Sequence, residues 1–245
     1  MASFSVILVA AGQSSRFDHD VKKPYADIDG RAVWMRAADL FVKRKDVIQI
    51  ILVVAADDEE NVLRRYGPNM AFMNVSVTIG GASRADSVNN GLAKVNPSAD
   101  FVAIHDAARP CATDDMVDKV FEAAKQHKAA ILAAAVTDTL KRCDTNRRIQ
   151  RTESREGLWQ AQTPQVFERA MIQSLYAQRD PKIPITDDAS LAEAAGIPVT
   201  VVPSDFTNIK ITTRSDLFLA EAIVKSRPKP KSKAFHPFAE EDMWK

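Results

Sequence analysis

Short apolar runs recur along this chain. Each gives way to small or polar residues and then to a segment whose apolar positions repeat at helical spacing. The run Val6-Ile7-Leu8-Val9-Ala10 comes first and stops abruptly in Ala11-Gly12-Gln13-Ser14-Ser15-Arg16, with Lys23 on the same loop. Ile50 to Val54, the alternating Val75, Val77 and Ile79, Phe101-Val102-Ala103-Ile104, and Ile131 to Val136 follow. Runs this solid in β-branched and aliphatic residues read as strands buried on both faces. Between them Val33, Ala37, Leu40 and Phe41 share one helical face, as do Val117, Val120, Phe121 and Ala124.

Capping residues punctuate the pattern. Asp57 is placed to cap a helix that stops at Tyr66-Gly67-Pro68, Ser83 to start one carrying Arg84, Ser87 and Leu92, and Thr113 to start the next. Further on, Trp159 leads to Gln162-Thr163-Pro164-Gln165 and a helix from about Glu168, and Thr186-Asp187-Asp188 caps another. Val199 to Val202 and Asn208 to Thr212 read as late strands. Thr213 with Asp216 forms a capping box for a last helix that turns Leu217, Ala220 and Val224 inward.

Strand alternating with helix implies an α/β domain over 1–226, its parallel sheet covered on both faces by right-handed crossovers. Ligands of such sheets bind outside the carboxyl ends of the strands, so the loops after the first, third and fourth runs share one rim. Residues 137–160 break the pattern. They read as a β-hairpin with too little apolar content for a core of its own, which a second subunit would cover.

Composition narrows the function classes. A net charge of +1 over 245 residues gives no general attraction to nucleic acid or to a membrane surface, so any basic site is local. Lys141-Arg142 and Arg147-Arg148 lack interleaved aromatics and read as a solvated hairpin tip. The first apolar run is too short for a membrane span, no basic segment precedes it, and Cys111 and Cys143 lack metal-ligand spacing. The expectation is a cytoplasmic protein with free thiols. From Arg227 prolines and lysines accumulate, which predicts a mobile tail over 227–245.

The candidate chemistry lies on the rim. Backbone N–H groups of the Gly12 loop, with Arg16 and Lys23, suit a polyphosphate. The loop is neither a P-loop nor a dinucleotide fingerprint, because Ser14 stands where the latter needs its second glycine. Asp106 at a strand end could hold magnesium, orient a hydroxyl or merely cap a turn, and Arg109 beside it could grip a phosphate bidentately. Gly81, Arg84 and Ser87 could read a base edge or ribose, or simply start a helix. Lys210 sits inside an apolar segment, where solvation is the default and a turn toward the rim would be functional. Arg155 reads by default as a surface charge. No histidine–cysteine zinc site and no Ser-His-Asp set is present.

In this order the segments resemble the nucleotidyltransferases with a Rossmann-like sheet, and specifically the 2-C-methyl-D-erythritol 4-phosphate cytidylyltransferase family. The likeness is carried by Ala10-Ala11-Gly12 with Arg16 and Lys23, Gly80-Gly81 with Arg84 and Ser87, and His105-Asp106-Ala107-Ala108-Arg109-Pro110. Asp138-Thr139 with Lys141-Arg142, Arg155 before Gly157-Leu158-Trp159, Thr163-Pro164-Gln165, Thr186-Asp187 and Asn208-Ile209-Lys210 complete it. The resemblance implies a mostly parallel sheet flanked by helices, with the hairpin as a protruding dimerisation arm.

It also implies CTP held at Ala10, Ala11, Gly12, Gly81 and Ser87, with magnesium bridging the phosphates; Asp106 is a candidate metal ligand, the alternative being magnesium held by the CTP phosphates alone. Arg16 and Lys23 would stabilise the transition state, while Arg155 and Lys210 position an attacking polyol phosphate. Asp106, Arg109, Thr139 and Thr163 would hold the polyol. Arg155 would serve the neighbouring subunit's site, making a homodimer part of the catalyst. Departures from the family are Ser14 for a common glycine, Ala82 for a common acidic residue near the cytosine, and Lys22 for a common proline. The alternatives are a cytidylyltransferase for another polyol phosphate such as ribitol 5-phosphate, and a non-catalytic nucleotide-binding paralogue.

Overall fold

The structure, a computed structural model, describes residues 2–12, 17, 22–180, 182–183 and 185–227. Arg16, Ser14 and the tail from 228 onward lie outside the described residues, and so do the expectations that fall on them. In chain order the elements are β1 (Phe4–Val9), a 3-10 turn (Lys23–Tyr25), β2 (Asp27–Ile28), β3 (Arg31–Ala32), α1 (Val33–Val42), β4 (Val47–Val54), a second 3-10 turn (Ala56–Asp58), α2 (Glu59–Met73), β5 (Val75–Ile79), α3 (Arg84–Leu92) and β6 (Phe101–Asp106). Then come α4 (Asp114–His127), β7 (Ala129–Ala135), β8 (Leu140–Cys143), β9 (Ile149–Glu153), β10 (Trp159–Glu168), α5 (Arg169–Gln178), α6 (Ala189–Ala194), β11 (Thr200–Pro203) and α7 (Arg214–Ser226).

The main sheet has seven strands in the order β11-β7-β10-β6-β1-β4-β5. All neighbours pair in parallel except β10, which is antiparallel to both β6 and β7. Alternation along β1 divides the core: Val6 and Leu8 join Trp34, Phe41 and Phe121 on one face, while Ile7 joins Ile51, Val88 and Phe167 on the other. A third cluster packs Ile28, Val33 and Ile211 against Ala220 of α7, with Leu217 and Val224 at its edge. Thus the inward face read for the last helix is the one observed. The Ser83–Asp86 and Thr213–Asp216 capping boxes are both formed, and Thr113 accepts from Met116 N.

Four expectations need correction. First, α2 runs through Gly67 and Pro68 to Met73. Its buried stripe of Val62, Tyr66, Met70 and Met73 continues past the proline, and the carbonyl that Pro68 cannot bond belongs to exposed Arg64. The stop comes at Asn74, whose backbone is left-handed at φ 52°. Second, Asp57 does not cap α2, because it sits inside the preceding 3-10 turn and the N-cap position falls to Asp58.

Third, residues 159–168 form a strand in the middle of the sheet rather than a link between two elements. Gln162, Thr163 and Gln165 disguise it, since each is buried with hydrogen-bond partners in place of apolar contacts. Pro164 lies where the ladder to β7 shifts register, so no ladder donor is missing there. Fourth, Asn208 to Thr212 is not a strand. It is an extended segment tied to the sheet by Ile211 N donating to Ala108 O at 2.9 Å.

The hairpin exists as a two-stranded sheet, β8 with β9, whose residues are mostly exposed. Among the described residues no helix is long and apolar enough to cross a membrane.

Helix α3 lies close on the sheet because Gly91 faces it. A Cβ at Gly91 would meet Ile7 Cγ2 at 2.8 Å and Val53 Cγ2 at 3.2 Å. Gly91→Val should therefore destabilise the fold by about 1–3 kcal/mol through overpacking, although valine has the better helix propensity. A denaturant midpoint that stays put or rises would show that the interface has room.

Candidate active site

A cleft of about 350 Å³ opens at the carboxyl ends of β1, β5 and β6. From β1 come Ala10, Ala11 and Gly12, with Ala10 N held to Val53 O at 2.8 Å. The 3-10 turn after the loop brings Lys23 and Pro24 to the same opening. The exit of β5 brings Gly81, Ala82 and Ser83, and α3 contributes Arg84 and Ser87. Asp106 closes the floor, and Lys210 enters from the segment before α7.

The wall at Gly81 is shaped by its own helix. Ser87 Oγ accepts from Gly81 N at 3.1 Å and donates to Ser83 O at 2.9 Å. A side chain at Gly81 would bring its Cβ within 2.3 Å of Asp86 Cβ, so only glycine lets the loop lie this close to α3. Ser87 lines the cleft, and its buried hydroxyl already sets the loop's shape.

Asp106 is the electrostatic centre. Lys210 Nζ donates to its Oδ2 at 2.7 Å, Arg84 Nε to its Oδ1 at 3.3 Å, and Arg109 Nε stands 3.8 Å from Oδ2. Burial alone would push this carboxyl up, but Arg84, Lys210 and Arg109 overcome it and hold it well below the usual carboxylate range. The turn bond here runs from Arg109 N to Asp106 O, a backbone contact that leaves the carboxylate for the cations.

Arg84 is itself held from behind. Its two terminal nitrogens grip Asp188 at 3.1 and 2.8 Å, and Tyr176 OH donates to the same carboxylate at 2.5 Å. Burial would lower the Arg84 pKa, yet Asp188 and Asp106 raise it, so the guanidinium stays charged. Arg109 reaches away from the cleft to donate to Asn208 O at 2.6 Å, and Asn208 Nδ2 donates to Gln162 Oε1 and Thr163 O. Together these bonds fix the backbone that presents Lys210.

Beneath Asp106 lies a neutral histidine. Thr163 Oγ1 accepts from Asp106 N at 3.0 Å and stands 3.1 Å from His105 Nδ1, while His105 Nε2 is 3.1 Å from Arg109 O. A carbonyl only accepts, so Nε2 carries the proton and the Thr163 hydroxyl donates to Nδ1. Burial pushes this imidazole down to about 4, against the opposing pull of Asp106.

Of the residues singled out in the sequence, Ala10, Ala11, Gly12, Lys23, Gly81, Ser87, Asp106 and Lys210 line one opening. Arg109 and Thr163 stand behind it, bonded to Asp106 and its neighbours. Thr139 and Arg155 are exposed, flanking the hairpin, and do not line this chain's cleft. Asp188 and Tyr176 carry no signal of their own. Asp188 reads as the end of a capping run, and only the folded chain turns it toward Arg84. Among the described residues no three His, Cys, Asp or Glu side chains stand together to cage a metal, and both oxygens of Asp106 already face cations.

The buried His105 sets a pH dependence. Its folded pKa of about 4 lies below the unfolded value of about 6.5, so its contribution is full above about 6.5 and is lost as pH falls toward 4. That loss is worth roughly 3 kcal/mol. Unfolding free energies measured from pH 7 to 4 should fall more steeply for the native chain than for His105→Gln; parallel curves would contradict the assignment.

Comparison with known proteins gives the arrangement a family. The family model described as IspD: 2-C-methyl-D-erythritol 4-phosphate cytidylyltransferase matches residues 4–226. The 2-C-methyl-D-erythritol 4-phosphate cytidylyltransferase of Alkaliphilus oremlandii is 38% identical over 91% of this chain and 95% of its own length. The bifunctional enzyme IspD/IspF of Desulfotalea psychrophila is also 38% identical, but this chain spans only 60% of it. The crystal structure of 4-diphosphocytidyl-2C-methyl-D-erythritol synthase from Anaerococcus prevotii superposes with a TM-score of 0.77 at 30% identity, covering 91% of this chain and 96% of that one. On this evidence of sequence and fold together, the chain belongs to the 2-C-methyl-D-erythritol 4-phosphate cytidylyltransferase family.

Proposed function

We propose that this protein transfers CMP from CTP to 2-C-methyl-D-erythritol 4-phosphate, giving 4-diphosphocytidyl-2-C-methyl-D-erythritol and pyrophosphate, a step in non-mevalonate isoprenoid biosynthesis. The observation that carries the reading, beside family membership, is that Lys23, Arg84 and Lys210 line one cleft with Asp106, in a wall otherwise made mostly of small residues. Such a site suits two anions that must approach each other.

In the reaction an oxygen of the acceptor phosphate attacks the α-phosphorus of CTP. The bond from that phosphorus to the β-phosphate oxygen breaks, and pyrophosphate leaves with the electron pair. A phosphate monoester is already an anionic nucleophile, so the mechanism needs no general base. Alignment and charge neutralisation supply the acceleration.

The Gly12 and Gly81 loops bring backbone close enough to hold triphosphate, ribose and base. Lys23, with Arg16 from the same loop, neutralises charge growing on the α-phosphoryl and leaving oxygens. Lys210 takes the incoming phosphate, leaving Asp106 to its two guanidiniums. Asp106 holds the polyol end, while Arg109 and Thr163 position Asp106 from behind. Magnesium, where bound, would supply counter-charge to the nucleotide, and among the described residues Asp106 is the one carboxylate of the cleft that could reach it. The donor set fits it poorly as a protein-caged ion, and no step here depends on one.

Arg155 and Thr139 act in this reading from a partner subunit, across a homodimer built on the arm. Support comes from their exposure beside a hairpin with little core of its own. A cytoplasmic location agrees with the free thiols.

Lys23→Ala and Lys210→Ala should each lower turnover by about 10²–10³-fold, the usual effect of removing one preorganised contact to developing charge. Thermal midpoints should move little. Pyrophosphate release from CTP is the assay, and unchanged turnover in either variant would remove that residue from the mechanism. Run with ribitol 5-phosphate in parallel, the same assay should favour the methylerythritol acceptor, and the reverse preference would reassign the substrate. Mixing Arg155→Ala with Lys23→Ala should restore activity in the heterodimers, whereas no recovery would argue against an arm that serves its neighbour.

A further inference from the structure

The segment that delivers Lys23 is fastened by a carboxylate from outside the loop. Asp58 occupies the N-cap position of α2, yet its side chain makes no capping bond. It turns instead toward the first loop, where Lys22 Nζ reaches its Oδ1 at 2.7 Å and Tyr25 OH its Oδ2 at 3.4 Å. The residues on either side of Lys23-Pro24 thus hold one carboxylate. Lys22 also closes the 3-10 turn through its carbonyl, which accepts from Tyr25 N at 2.9 Å. Tyr25 is stacked on Tyr66 of α2, with ring centroids 6.3 Å apart.

The ion pair is partly shielded. The Asp58 side chain is 14% exposed and that of Lys22 34%, so water competes for it less than at an open surface. Asp58 follows the end of β4, which is paired on both sides by β1 and β5, so it is a fixed point.

We propose that Asp58 is a positioning residue for the transfer reaction, acting through Lys22 and Tyr25 to hold Lys23 at the cleft. The proposal rests on the role given to Lys23 above. A lysine acting on developing charge must already be in place when that charge appears, and a displacement of about 1 Å can cost on the order of 10²-fold. Nothing in the local sequence of the first loop supplies such rigidity beyond the single Pro24. A tether from the start of α2 supplies it.

The test is Asp58→Asn, which keeps the shape and removes the charge without touching a capping bond. Turnover with both substrates saturating should fall about 10–100-fold while KM for CTP changes little, because the lost interaction acts in the transition state. Lys22→Met should behave alike, Lys22→Arg should retain most activity, and the double variant Lys22→Met with Asp58→Asn should be no worse than Asp58→Asn alone. Amide exchange over residues 22–26 should speed up in Asp58→Asn with the strands unchanged.

Unaltered exchange there would overturn the anchor. Faster exchange with unaltered turnover, or additive losses in the double variant, would overturn its bearing on Lys23. If the native chain released no pyrophosphate, the proposed reaction would fall, and the exchange rates would still decide whether Asp58 holds the segment.

Discussion

A single buried carboxylate, Asp106, holds the functional rim together because three cations from different parts of the chain converge on it. Arg84 comes from the helix after β5, Arg109 from the turn after β6, and Lys210 from the segment before α7. A charge this buried is tolerable only when paired, and here the pairing draws three loops to one point. The arrangement also lets the cations stand together, since without the carboxylate their mutual repulsion would push the rim apart. Asp188 and Tyr176 extend the same logic one layer deeper, fixing Arg84 from the side away from the cleft.

Against this dense network the side proposed for the nucleotide is built from absence of bulk. Ala10, Ala11, Gly12 and Gly81 offer backbone rather than side chains, and Ser87 uses its hydroxyl to keep the Gly81 loop in shape. The two halves of the cleft follow different physics. In the proposed reaction one would bind by close backbone approach, the other by fixed charge. A reaction joining a triphosphate to a phosphate monoester needs both, because alignment and neutralisation leave little else for the protein to do.

The hairpin is the unsatisfied part of the single chain. Ile149, Leu158 and Trp159 are exposed in and beside it, and the strands β8 and β9 pair only with each other in the described sheets. In the proposed reading, a second subunit over this arm would bury that surface and bring Arg155 toward a cleft.

Local pattern alone settled a good deal. Val6 to Ala10, Ile50 to Val54 and Phe101 to Ile104 are strands because continuous β-branched and aliphatic runs have no other stable home, and the capping boxes at Ser83 and Thr213 mark helix starts whose bonds close within a few residues. The ordered motifs likewise named the family before any geometry was known. What only the folded chain decided depends on contacts distant in sequence. Strand β10 hid behind buried Gln162, Thr163 and Gln165, whose partners lie on other elements, and α2 passed its proline because a stripe ending at Met73 had a core to meet. Asp188 and Asp58 look in sequence like ordinary helix-start residues. Their side chains instead serve Arg84 and Lys22, a choice made by what the fold places opposite them, since a carboxylate near a helix start takes a cation in partial shelter over a backbone amide that water or neighbours can satisfy.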